Sequence, residues 1–194
     1  MADLAPRDHA MRAVLAVVAD EGMEGLSVRR VGARAGLSIG AVQHHFPTKA
    51  AMVAAVMDIV VAAAEEQLDA AREEASPRDG LGIAIDARVP ASSVDVLTRV
   101  WMAFAAHAAV DDATNDAFVS FTSRQRTVLA ELLVAAGAPE GSARESATEL
   151  LALCDGLALQ VVAERGAMPP EVARRIAHAR AEQHVGVHGG GRAG

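Results

Sequence analysis

The chain has 194 residues, a formal charge of −7, 52% hydrophobic residues and 3% aromatic residues, with no tyrosine. That much apolar material can bury a core, so a disordered tail is excluded, and the length suits one large domain or two small ones. No stretch approaches about 20 apolar residues without a charge, no basic segment followed by an apolar one opens the chain, and Cys154 is the sole cysteine, which argue against a transmembrane helix, a secretory signal and a disulfide framework.

The predicted elements are helical throughout. Residues 7–21 place Met11, Val14, Leu15 and Val18 on one helical face, with Pro6 tolerated at the start and Gly22 closing the segment. Ser27 is set to cap a short helix that begins Val28-Arg29-Arg30-Val31. Ala35-Gly36-Leu37 makes a tight turn, and Ser38 caps a second short helix from Ile39 to His45. Phe46-Pro47-Thr48 breaks it. Thr48 then caps a long helix reaching about Ala75, roughly 42 Å in length. Ser76-Pro77-Arg78-Asp79-Gly80 stops that helix, and a short segment covers 79–87. Val89-Pro90 and Ser92-Ser93 mark the next start. Residues 93–110 carry Val94, Leu97, Val100, Trp101, Phe104 and Ala108 at helical spacing. Asp111-Asp112 punctuates, and 113–136 continues with Phe118, Phe121, Val128, Leu132 and Leu133. After the Gly137-Ala138-Pro139 loop, 142–165 forms a strongly apolar helix, and Pro169-Pro170 opens a last one over 170–184. The glycine-rich end, 187–194, reads as a flexible tail. No strand alternation and no repeat is visible, so the predicted fold class is all-α.

Residues 27–46, SVRRVGARAGLSIGAVQHHF, carry the chemistry. They read as helix, glycine turn, helix. Val28, Val31 and Ala35 can face inward from the first helix, and Leu37, Val42 and Phe46 can lock the second against it. Gly36 permits the left-handed turn. That leaves Gly40, Ala41, Gln43 and His44 outward. Small residues at 40 and 41 let a helix seat deep in a major groove about 12 Å wide.

The stretch from Gly22 to Met52 resembles the N-terminal DNA-binding domain of TetR-family transcriptional regulators. The Gly-x-x-Gly-Leu-Ser opening, the Ala-Gly-Leu-Ser turn and His-Phe-Pro-Thr-Lys before the long helix carry the likeness. Trp101 to Ala105 and Asp155-Gly156-Leu157 are similar to the BetI-like branch. The resemblance implies a helix-turn-helix domain over 4–50, joined by the long helix to a helical regulatory and dimerisation domain over 51–186. It also implies roles at DNA. Ser27 caps and touches phosphate, and Arg29 reaches a base edge or phosphate. Ser38 opens the recognition helix, where Ile39, Gly40 and Ala41 approach bases. His44 and His45 sit where the backbone is touched, and Lys49, the sole lysine, where a phosphate is met. Gln43 stands where the family usually has tyrosine; glutamine can instead pair with adenine or bind phosphate.

The acidic total looks adverse for DNA, but it is unevenly spread. Residues 1–50 hold six basic and five acidic groups, net +1, and the remainder carries −8, so local potential differs from the average. One short helix reads too little DNA for tight specific binding, which calls for a homodimer on a palindromic operator. Leu150, Leu153, Cys154, Leu157 and Val161, on a helix apolar on more than one face, are the interface candidates. A small-molecule effector is expected to meet a pocket lined by Met57, Val61, Trp101, Phe104, His107, Phe118, Phe121, Thr122 and Gln160, although for any single one of them core packing is the better explanation. The expected function is a cytoplasmic, homodimeric repressor that binds double-stranded DNA and is released by the effector. It needs no cofactor or metal and has no membrane partner. An activator, a ligand-independent regulator and a non-enzymatic helical interaction module are the alternatives. No phosphate loop, nucleophile elbow or HExxH motif points to an enzyme.

Overall fold

The computed structural model describes residues 6–73 and 76–186. Among the described residues there are nine helices and no strand. They are α1 (Pro6–Gly25), α2 (Val28–Ala35), α3 (Ile39–His45), α4 (Lys49–Glu73), α5 (Pro77–Asp86), α6 (Val96–Ala108), α7 (Asp112–Ala135), α8 (Glu140–Ala163) and α9 (Pro170–Gly186). The expected tail, 187–194, lies outside the described residues, as does the expected end of the long helix at Ala75.

Local chemistry sets the boundaries. The Ser27 hydroxyl accepts from the Arg30 amide (3.3 Å), Ser38 from Ala41 (3.1 Å) and Thr48 from Ala51 (3.0 Å). Each satisfies an N-terminal amide that the helix itself cannot. Asp111 does the same for α7, accepting from the Thr114 amide at 2.8 Å. Ser76 caps α5 through the Asp79 amide, which starts that helix at Pro77, in the first turn where proline is tolerated. The sequence-based start at 79 was therefore late. Gly22 breaks α1 as expected, with φ 72 and ψ −178, but a further helical piece resumes and runs to Gly25.

The chain packs as two units. The first takes its described residues from Met1–Ala62 and Val96–Asp116. Its core holds Val14, Val18, Leu26, Val31, Val42, Phe46, Met52, Val56, Val100 and Phe104, all buried. In it α1 packs on α2 and, more extensively, on α6.

The second unit takes Ala63–Asp95 and Ala117–Gly194. Its core joins Leu81 and Ile85 of α5, Leu129 and Leu133 of α7, and Leu150, Leu151, Cys154, Leu157 and Val161 of α8. α9 adds Ala173, Ala177, Ala181 and Val185, a stripe at four-residue spacing whose small side chains let it lie close to α8 and α5. Polar ties reinforce this corner. Arg174 donates to the Val89 carbonyl (3.1 and 3.3 Å), His178 Nε2 lies 2.9 Å from Asp86, and Arg180 pairs with Glu149.

By length and composition α8 is apolar enough to cross a bilayer, with a window mean hydropathy of 1.4. Its inner face is nonetheless filled by the core of the second unit.

Candidate nucleic-acid interface

The turn between α2 and α3 fixes the recognition geometry. Gly36 adopts φ 67 and ψ 27, the left-handed conformation that glycine takes at least cost. The Leu37 amide then donates to the Gly32 carbonyl at 2.9 Å. A Cβ on Gly32 would lie 2.8 Å from the Leu37 carbonyl oxygen, so the two backbones approach more closely than most side chains allow. Val31, Val42 and Phe46 are fully buried and hold α3 against α2 from below. His9 Nε2, 2.8 Å from the Ala35 carbonyl oxygen, ties α1 to the end of α2.

With that face anchored, the opposite face of α3 is open. Ser38, Ile39, Gly40, Gln43 and His44 are exposed, while Ala41 and His45 are half-buried. Ile39 is 54% exposed, a large apolar side chain that the chain's own packing leaves in solvent. The His44 and His45 rings meet edge-on at 5.1 Å, and His45 leans on Phe46. Ser27 is half-buried by its capping role, and Arg29 and Lys49 are exposed.

Two of the five acids in the first 50 residues lie directly against the helix-turn-helix. Arg30 pairs with Glu21 and Arg34 with Asp20, both acids coming from α1. Asp20 also takes Arg99 of α6 on its other oxygen, at 3.2 Å. Hydrogen bonding from Arg34 holds the Asp20 carboxyl below the usual range, with the charges of Arg34 and Arg99 adding to it and desolvation opposing. Among the described residues, Arg29 and Lys49 have no ion-pair partner. Sequence reasoning missed these pairs because their partners lie 9, 14 and 79 positions apart and follow no local spacing rule.

The other expected residues separate by burial. Phe104, Phe121, Thr122 and Met57 are buried. Val61, Trp101, His107 and Phe118 are half-buried. The Trp101 and Phe104 rings lie 5.8 Å apart. The Thr122 hydroxyl donates to the carbonyls of Phe118 and Val119, so its own helix uses it. Gln160 is exposed on α8 and leaves the buried set. The interface candidates need a clearer correction. Leu150, Cys154, Leu157 and Val161 are 5% exposed or less and pack in the chain's own core, with Leu153 partly buried against it. Side chains already filled from within are not available to a partner. The exposed stripe of α8 is instead Ala152, Gly156, Leu159, Gln160 and Ala163. Burial also pushes the Cys154 thiol up to about 12, which leaves it unreactive. Among the described residues no group of metal-ligating side chains is assembled.

A capped helix, a left-handed glycine turn and a second short helix with an open outer face define a helix-turn-helix DNA-binding protein. Residues 11–56 match the family model of bacterial regulatory proteins of the tetR family, and 77–186 match that of the BetI-type transcriptional repressor C-terminal domain. The chain therefore belongs to the TetR family of transcriptional regulators, with a BetI-type C-terminal part, and is a regulator rather than an enzyme.

Its relatives agree. It is 29% identical to the HTH-type transcriptional regulator BetI of Stenotrophomonas maltophilia, over 89% of each chain. It is 29% identical to the regulator PksA of Bacillus subtilis, over 80% of this chain and 78% of that one. A solved transcriptional regulator from Rhodococcus sp. Rha1 superposes with a TM-score of 0.82 at 32% identity, covering 94% of this chain and 97% of that one. A Saccharomonospora viridis regulator solved in complex with choline shares the fold, with a TM-score of 0.81 at 19% identity, over 92% of this chain and 96% of that one.

Proposed function

We propose that the chain is a homodimeric repressor that reads a palindromic operator through α3 and is released by a small-molecule effector. The open outer face of α3 carries this reading: Ile39 and Gly40 stand exposed at the start of a helix whose other side is locked in the core. In the proposed complex Ile39, Gly40 and Ala41 approach base edges, and Gln43 pairs with a base or a phosphate. Arg29 takes a guanine or a phosphate, the commonest arginine contacts. Ser27, His44, His45 and Lys49 meet the backbone, while Ser38 keeps the N-terminus of α3 in place.

The effector half of the proposal is supported by the BetI-type C-terminal part and by the choline held by the Saccharomonospora viridis relative. The single tryptophan, Trp101, gives it a built-in reporter.

Affinity for the upstream intergenic duplex, measured against salt, tests the DNA reading. Arg29→Ala and Lys49→Ala are expected to weaken binding, and Lys49→Ala to reduce the salt slope by about one contact. Sequence-indifferent binding without a salt dependence would sink it. For the effector, a compound that shifts Trp101 fluorescence must also lower operator affinity. If it raises affinity, the chain is an activator or a corepressed regulator instead.

A further inference from the structure

The helix-turn-helix segment from Ser27 to Lys49 carries four cations, Arg29, Arg30, Arg34 and Lys49, and no acid. Two of these cations are held by the end of α1. Glu21 binds Arg30 and Asp20 binds Arg34. The first of these pairs is built into the backbone. A Cβ on Gly25 would meet the Glu21 Cβ at 2.4 Å and the Arg30 Nη1 at 3.2 Å, so glycine there leaves the room in which the pair closes. Asp20 is shared, one oxygen going to Arg34 of α2 and the other to Arg99 of α6 at 3.2 Å.

All of these side chains are part-exposed: Arg30 by 55%, Arg34 by 45%, Asp20 by 39% and Glu21 by 35%. Exposed pairs of this kind contribute little to stability. Their charge still acts on a phosphate within a screening length of roughly 8–10 Å. Stability is therefore a poor reason for the arrangement, and the strength of phosphate attraction is a better one.

We propose that Asp20 and Glu21 set the strength of DNA binding by holding Arg34 and Arg30 as internal ion pairs, and that Arg99, by sharing Asp20, determines how much of the Arg34 charge reaches DNA. With Arg99 in place the Arg34–Asp20–Arg99 trio is net positive. With Arg99 withdrawn, the Arg34–Asp20 pair is neutral and the surface beside α2 loses a charge. The position of α6 is thereby written into the potential of the DNA-binding unit. This rests on the helix-turn-helix being the DNA-binding surface.

The test uses the full chain and a mixed-sequence duplex of about two helical turns, so that phosphate attraction is read without base recognition. Asp20→Asn and Glu21→Gln are each expected to bind more tightly at low salt. Each should steepen the plot of log affinity against log salt by about 0.9, roughly a 3.5-fold extra loss between 50 and 200 mM. Asp20→Asn/Arg34→Gln should return the slope to the wild-type value. Arg99→Gln should weaken binding more in the wild-type background, where it also leaves Asp20 wholly to Arg34, than in the Asp20→Asn background, where only its own charge is lost; an equal loss in both overturns the sharing. Unchanged slopes in both acid variants overturn the proposal. Should Asp20→Asn lose its helical structure, the Glu21–Arg30 pair decides: Glu21→Gln steepening the slope by about 0.9, with Glu21→Gln/Arg30→Gln restoring it, supports masking, and an unchanged slope in Glu21→Gln overturns it. If the wild-type chain itself binds the duplex without salt dependence, the DNA surface is misplaced, a failure distinct from that of the masking alone.

Discussion

Gly40 separates what the fold needs from what the partner needs. It sits in the first turn of α3, and a Cβ built there meets nothing within 4 Å. Glycine inside a helix costs about 1 kcal/mol relative to alanine, so the chain's own stability would gain from the substitution. An outside surface approaching closely is the remaining reason for a glycine. Gly40→Ala is therefore expected to raise unfolding free energy by about 0.5–1 kcal/mol in a denaturant titration and to lower operator affinity. Rising stability with unchanged affinity would remove Gly40 from the groove. Gly36 behaves oppositely. Nothing crowds it either, but its φ of 67 strains any L side chain, so alanine there costs stability. The sequence distinguished these two glycines by position in the motif alone. It could not show that Gly32 is constrained by the Leu37 carbonyl, because that contact depends on the closed turn.

At the level of elements, the caps and breaks were legible because they are local. Ser27, Ser38, Thr48 and Asp111 each accept from an amide three residues on, a spacing visible in the sequence. The allegiance of α6 was not legible. Its spacing of Val100 and Phe104 shows an amphipathic helix but not that α1 is the surface it covers. The α8–α9 pair holds another long-range feature, His184. Its side chain is only 11% exposed, and its Nε2 lies 3.5 Å from Glu149. Burial pushes its pKa below the ordinary 6.5, Arg180 adds to that, and Glu149 opposes. The neutral form is thus favoured by folding. As pH falls below 6.5 the unfolded chain takes up the proton first, so stability declines until the folded pKa is passed. The melting temperature is expected to drop as pH is lowered through the unfolded value of 6.5, and His184→Gln should flatten that drop. Asp20 and Asp111, held below the ordinary carboxylate value of 3.8, lose their contribution only at lower pH and do not enter this window. An equal drop in the variant would assign the effect elsewhere.

For the whole molecule, the question is how a chain with a net charge of −7 binds DNA specifically. Local charge answers half of it, since the first 50 residues are net +1. In the proposed homodimer a second recognition helix would answer the other half. Two α3 helices about one DNA turn apart, roughly 34 Å, would need a partner surface, for which the outer face of α8 is the candidate. The sequence rightly read α8 as apolar on more than one face, yet periodicity could not say which face the chain would fill itself. The core takes Leu150, Cys154, Leu157 and Val161. Outside remain the small residues Ala152, Gly156 and Ala163 beside Leu159, which is 53% exposed. Small residues with one large apolar side chain suit close approach by an equivalent helix, because a self-complementary patch closes as a two-fold dimer. Leu159→Glu should therefore give a monomer in sedimentation while keeping its helical circular dichroism. Operator affinity should then fall by about 100-fold or more, as two linked half-sites become one. Leu150→Glu, buried within the chain, should instead lose helical structure at any concentration. A Leu159→Glu chain that still sediments as a dimer would place the partner surface away from α8 and leave its outer apolar stripe without this role.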